Sequence, residues 1–328
     1  MPRRPGRQLL HTSLKAASVV GLMTGIWAAQ PSPLTPASSG PISIDVVSVP
    51  LNPQNPSATS IGDFHYAGGL ALTSRMTDRL HGLSALEITD TGKLIAVGDT
   101  GVLLEARLVF DGASRLVGLT EARLTPLTGI DGKPLTDKEH ADAEGLALLS
   151  NGDRLVSFER DHRIWLYPAA GGAPRRVPSP DGPFPPNAGM EALATDPEAG
   201  ADVYVVGAET SGDTWTCRMS APSCVKGLTV AKPEEFGLVA MARLPGRLAV
   251  YLLRAYDDVR GSRISLQIVR STDVVARMDL ARPMTVDNFE GVAAVPRTDG
   301  GARLYLLSDD NSRDSQRTLL LAFDWRPR

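Results

Sequence analysis

One pattern recurs along this chain and constrains its fold more than any other feature: a short apolar run, a tight turn, and a second apolar run closing on a polar or charged residue. The clearest copy runs from Asp142-Ala143-Glu144-Gly145-Leu146-Ala147-Leu148 through the turn Ser150-Asn151-Gly152-Asp153 to Leu155-Val156-Ser157-Phe158 and Glu159. Further copies start at Gly82, Gly189, Phe236 and Phe289 and close at Asp99, Glu209, Arg254 and Asp309-Asp310. Apolar runs of this length between turn residues read as hairpins. Onsets spaced roughly 45 to 60 residues apart suit a four-stranded propeller blade better than a shorter solenoid unit.

The expected fold is therefore all-β, a β-propeller of six four-stranded blades, with five as the alternative. Five copies are visible, and Gly62 to Ser74 with Thr318 to Trp325 are expected to supply the remaining strands, joining the two ends of the chain in one blade. Such closure leaves no open sheet edge. Composition agrees: 42% of the 328 residues are hydrophobic, enough for a large core, and glycine (31) and proline (25) punctuate the chain where long amphipathic helical runs are missing.

The two ends of the chain differ in character. Arg3, Arg4, Arg7 and Lys15 precede an apolar stretch from Ala16 to Ala29, the layout of a secretory signal peptide over 1–29 and too short for a comfortable membrane span. A disordered linker and entry segment is expected over 30–60, rich in Pro, Ser and Thr at its start, and the propeller domain over 61–328. No other stretch reaches membrane-spanning length, so no integral membrane segment is expected after signal removal, and the mature chain is placed in the periplasm or outside the cell. Without the first 29 residues, 30 Lys and Arg face 37 acids, a net charge of −7 that argues against nucleic acid as a partner. Cys217 and Cys224 are the only cysteines, and in an exported chain they are expected to pair across a hairpin. A zinc site is not indicated, because no further Cys or nearby His completes a ligand set.

The first strand of a propeller blade lies nearest the axis, so residues opening these strands gather at one mouth of the central channel. Glu144, Glu191 and Glu290 hold that position, with Ser84 and Phe236 in the other repeats. Carboxylates collected around one axis disfavour each other's ionisation unless a cation sits among them. Asp99, Glu159, Glu209, Asp309 and Asp310, at the ends of the following strands, would add oxygen ligands if they share that rim. The expected metal set is thus Glu144, Glu191, Glu290, Glu159, Glu209, Asp99 and Asp309, and the expected ion is calcium, which takes six to eight oxygens in irregular geometry. Arg254 stands where other repeats carry an acid, and His81 adjoins an inner-strand start. These two, with Glu144, Glu191 and Glu290, form the expected catalytic group, while Arg160, His162 and Arg263 are further donors suited to an oxyanion.

At these residues the chain resembles the phytase-like family, described as having esterase-like activity of phytase. Its patterns stand here as Asp142 to Ala147, Glu159 to Ile164, Asn187 to Ala194 and Ser308 to Asn311. The resemblance extends from about Phe64 to Trp325 and implies an exported propeller with an esterase or phosphomonoesterase activity. The lysine clusters that β-propeller phytases turn toward a polyphosphorylated ring are not evident here, which argues against phytate as substrate. Local signatures of nucleophilic hydrolases, such as Gly-x-Ser-x-Gly and His-Glu-x-x-His, are missing as well.

The function expected from the residues and the resemblance together is metal-dependent hydrolysis of a small-molecule phosphate or carboxylate ester by a monomer. A non-catalytic propeller binding a ligand or cell-envelope partner, and a lactonase-type propeller, are the alternatives.

Overall fold

The structure is a computed structural model that describes Met1 and residues 39–327. Two compact units, Met1–Ser32 and Pro33–Arg328, divide the chain, and everything below concerns the second. The expected signal peptide lies outside the described residues.

Alternating and continuous apolar runs become strands, and these form five antiparallel sheets among the described residues. The innermost strands are Leu83–Ile88, Ala143–Leu148, Ala192–Thr195, Gly237–Leu244 and Asn288–Pro296. Each packs against the next, and the last packs against the first, so the sheets close a ring as the blades of a propeller. Burial falls from the axis outward. In the second strand of blade 1, Leu94, Ile95, Ala96 and Val97 are all buried, because both faces of the blade are covered by neighbouring blades. At the rim, Asp273–Leu280 alternates between exposed and buried residues and Val225–Thr229 is exposed throughout. That gradient explains why inner strands read as unbroken hydrophobic runs and outer ones do not.

The blade count is five and not six. The fifth repeat supplies only the first two strands of its own blade, Asn288–Pro296 and Ala302–Asp309. Leu319–Trp325 adds the third, and Phe64–Thr73, from the other end of the chain, pairs with it in register Leu320 to Leu70 and Trp325 to Phe64. The terminal segments thus join in one blade as expected, but they complete the fifth instead of building a sixth. Strand pairing also starts before residue 61: Asp45–Ser48 extends blade 5 and Gly40–Pro41 lies along the outer edge of blade 1. Both fall within the segment read as linker and entry.

Ring closure also demands small residues near the axis. A Cβ on Gly145 would meet Ser157 Oγ at 2.3 Å and the Glu191 carbonyl oxygen at 2.7 Å. One on Gly291 would meet Leu86 at 2.8 Å. Glycine following glutamate in the repeat is therefore where one inner strand crosses close over the next.

Cys217 and Cys224 form a disulfide in blade 3, joining its third strand, Asp213–Arg218, to the start of Val225–Thr229. Closing so short a loop is worth about 2 to 3 kcal/mol by chain entropy. Cys217→Ser with Cys224→Ser is expected to lower unfolding free energy by about that amount, read by urea denaturation, while the remaining four blades keep their far-ultraviolet dichroism.

Candidate functional site: an acidic mouth

Four of the five inner strands carry a bulge against the second strand near one end, at Ser84, Glu144, Val239 and Glu290. Glu191 directly precedes the pairing of Ala192 with Gly207 in the remaining blade. A bulge leaves one residue outside the ladder and re-aims its side chain, and such irregularities concentrate beside functional sites. In the fourth blade the equivalent residue is Val239, buried and apolar, and not Phe236 as aligned by sequence. Phe236 lies before the strand, with the Arg263 guanidinium 5.4 Å from its ring centre.

The end of each second strand supplies a further residue, held opposite the position two before the bulge. Backbone bonds join Asp99 to Gly82 (2.8 Å), Glu159 to Asp142 (2.8 Å) and Glu209 to Gly189 (3.1 Å). Arg254 pairs with Gly237 and Asp309 with Asn288. Gly82 is required by close approach as well as by its φ of +63°, since a Cβ there would lie 1.9 Å from Asp99 Oδ1.

The two rings of residues form one electrostatic unit. Oxygens of Asp142, Glu144 and Glu159 lie within 4.8 Å of one another. Burial pushes the Glu144 carboxyl well above its ordinary range, reinforced by Asp142, Glu191 and Asp99. Glu191 is pushed up by burial first and then by the neighbouring Glu209 carboxyl. Burial also raises Glu159 to about 7, helped by Asp142 and Glu209, and raises Asp309 to about 7, helped by Asp99. Glu290 meets this group through Arg254, whose Nη1 bonds to Glu290 and whose Nη2 lies 3.4 Å from Glu209 Oε1. Asn288 joins them, accepting from Arg254 at 2.9 Å and donating to Glu290 at 2.9 Å.

Two cations, Lys138 and Arg160, and the His81 ring meet the acids on the other side of the mouth. Lys138, on the short helix Lys138–Ala141 between the first two blades, reaches Asp99 Oδ2 and Asp142 Oδ1, each at 2.6 Å. Arg160 donates from Nε to Asp142 Oδ2 at 2.6 Å, and it does so from a left-handed backbone (φ 60°) that a non-glycine residue adopts only when its surroundings hold it there. His81 Nδ1 lies 2.6 Å from Asp310 Oδ2. Burial would raise Asp310, yet bonds from His81, Thr318 and the Gly82 and Ser312 amides outweigh it and hold the carboxyl below its usual range.

The structure thus brings together Glu144, Glu191, Glu159, Glu209, Asp99, Asp309 and Arg254, with Glu290 tied in by Arg254 and His81 by Asp310. Two of the further donors are committed elsewhere. His162 bonds the Pro185 carbonyl at 3.0 Å and packs on Phe184, and Arg263 reaches Asp257 and Glu235 at the rim. Sequence reasoning missed Lys138 and the role of Asp142. Lys138 belongs to no repeat, so periodicity could not reveal it, whereas Asp142 opens the Asp-x-Glu-Gly pattern and was there to be found.

A hard cation fits this donor set. The ligand atoms are all carboxylate oxygens, and Asp99 Oδ1 is buried with no hydrogen-bond partner. An unpaired buried carboxylate oxygen is costly unless something electropositive faces it.

A closed propeller with a carboxylate-lined mouth is the class defined by these features. Residues 78–312 match the phytase-like family, described as "Esterase-like activity of phytase", and the chain belongs to it. Among solved structures it is similar to a gluconolactonase from Xanthomonas campestris, at 12% identity, covering 89% of this chain and 99% of that one with a TM-score of 0.44. It is also similar to the WD40 repeats of RRP9, at 12% identity, covering 81% and 85% with a TM-score of 0.40. No curated protein matches the chain. No helix among the described residues is long and apolar enough to cross a membrane.

The raised acids have a consequence for stability. In metal-free protein, folded Glu159 keeps its proton up to about pH 7, whereas the unfolded chain releases it near 4.5. Its stabilising effect is complete below pH 4.5 and is lost as pH rises to about 7. Urea unfolding in a chelator is therefore expected to show Glu159→Gln gaining about 1 to 3 kcal/mol relative to the wild type between pH 5 and pH 8. An unchanged difference between the two proteins across that range would contradict the assignment.

Proposed function

We propose that this chain is an exported, metal-dependent hydrolase of phosphate or carboxylate esters, working at the acidic mouth. The observation that carries the reading is the convergence of Asp142, Glu144 and Glu159 to within 4.8 Å. These three, with the unpartnered Asp99 Oδ1, would hold the cation, and calcium suits a set made only of oxygens in irregular array. When bound there, the cation supplies Lewis acidity toward an ester oxygen and lowers the pKa of water.

The remaining roles follow from the side chains themselves. Arg254 presents a guanidinium at the mouth, suited to negative charge developing on the ester oxygens, and Glu209, Asn288 and Glu290 fix its plane. Asp309, raised to about 7, carries a proton for part of the time at neutral pH and suits delivery of that proton to a departing alkoxide. His81 holds Asp310 in place beside it and is a positioning residue here. Export is consistent with the basic and apolar start of the chain and with the Cys217–Cys224 disulfide.

Calcium is expected to raise the melting temperature of the purified protein, and turnover of an aryl phosphate or aryl acetate is expected to require it. Glu144→Gln and Glu159→Gln are each expected to abolish the calcium-dependent shift and to cut turnover at least 100-fold, the order lost when a charge-stabilising group is removed. Calcium stabilisation without turnover of either ester would replace the hydrolase with a binding module.

A further inference from the structure

Beside Arg254 the mouth opens into a cleft of about 820 Å³ over blades 4 and 5. Four arginines line it: Arg254, Arg282, Arg313 and Arg317. Their states differ. Arg254 is bound to Glu209 and Glu290, and Arg317 lies 3.2 Å from Asp287. Arg282 and Arg313 are exposed and form no ion pair among the described residues. Of the acids in the wall, Glu209 and Asp287 are paired with these arginines, Glu235 with Arg263, and Asp258 accepts from the Tyr256 hydroxyl at 3.2 Å. The uncommitted side chains best suited to a ligand are therefore the two guanidinium groups.

The fold places the Arg282 side chain over a neighbouring strand and shapes the backbone that carries Arg313. The Arg282 guanidinium lies over Gly261, with its Cζ 3.5 Å from where a Cβ would stand. Arg313 sits in a loop that enters through two consecutive left-handed residues, Asn311 (φ 49°) and Ser312 (φ 51°). Asp309 accepts from the Asn311 amide at 2.6 Å and Asp310 from the Ser312 amide at 3.0 Å, so the acids that face the mouth also fold this loop. Ser308 closes it, donating to the Arg317 carbonyl at 2.6 Å. The Ser308 to Asn311 motif thus links the acidic centre to the arginine wall of the cleft.

We propose that the cleft is an oxyanion subsite in which Arg282 and Arg313 together bind a carboxylate or phosphate group. Guanidinium groups hold such anions through paired hydrogen bonds, and these two line one cleft without a carboxylate partner among the described residues. On the hydrolase reading above, this anion belongs to the substrate. The preferred ester then carries a second charged group that is not cleaved, held in the cleft while the ester lies against Arg254 and the acids.

The test uses the full chain with calcium and has two arms. In calorimetry, inorganic phosphate and succinate are titrated into the wild type and into Arg282→Met/Arg313→Met. At least one anion is expected to bind the wild type, and its affinity to fall about tenfold or more in the variant, the loss expected for a charged hydrogen bond. The anion that binds tells phosphate from carboxylate. In kinetics, para-nitrophenyl acetate is compared with mono-para-nitrophenyl succinate, and the preference in kcat/KM for the charged ester is expected to drop about tenfold in the same variant. Arg282→Lys/Arg313→Lys, which keeps the charge, is expected to retain part of that preference and controls for folding. Anion binding that depends on both arginines without turnover of either ester would leave the subsite standing and remove the hydrolase reading. Absence of binding by both anions, or binding indifferent to both substitutions, would overturn the subsite.

Discussion

Mutual repulsion of carboxylates is the constraint around which this protein is arranged. A propeller directs the same end of every inner strand to one mouth, so an acid placed in the repeat is multiplied by the fold's own symmetry. Glu144, Glu159 and Glu191 answer with raised pKa values, since each is both desolvated and faced by another acid. Other acids are paired instead: Asp142 with Lys138 and Arg160 and Glu290 with Arg254, while Asp310 is held by hydrogen bonds with His81 and Thr318. The mouth thus has one half paired around Arg254 and another around Glu144, where Lys138 and Arg160 engage the aspartates Asp142 and Asp99 and the glutamates still face other acids.

That division depends on how tightly the blades pack. Five blades bring inner strands close enough that Gly145 has the Glu191 carbonyl against it and Gly291 has Leu86. Bulges at Glu144 and Glu290 then lift the glutamates out of the ladder where a regular strand would have kept them in it. Stability and site chemistry thus share residues, because the glycine that admits the neighbouring strand follows directly on the acid that faces the channel.

Much of this was legible in the sequence because it was periodic. The closing acids Asp99, Glu159, Glu209 and Asp309, and Arg254 in their place in the fourth repeat, occupy equivalent positions in the structure. What was not periodic was lost. Lys138 comes from an inter-blade helix and reaches two blades at once, a contact that no spacing encodes. Phe236 stands in for Val239 in the sequence pattern because it precedes Gly237 as Glu144 precedes Gly145 and Glu290 precedes Gly291, and only the bulge shows which residue leaves the ladder. The count of six failed for a related reason: the fifth repeat has two strands of its own, and sequence alone does not say whether the terminal strands finish a blade or make one.

Asp142, Glu144 and Glu159 are proposed to surround one cation. A crystal grown with terbium, a trivalent ion that replaces calcium in oxygen sites and scatters anomalously, would locate that ion. An anomalous peak is expected within bonding distance of oxygens from all three residues. A mouth without a peak, while terbium occupies only acids on the outer rim, would contradict this placement of the cation.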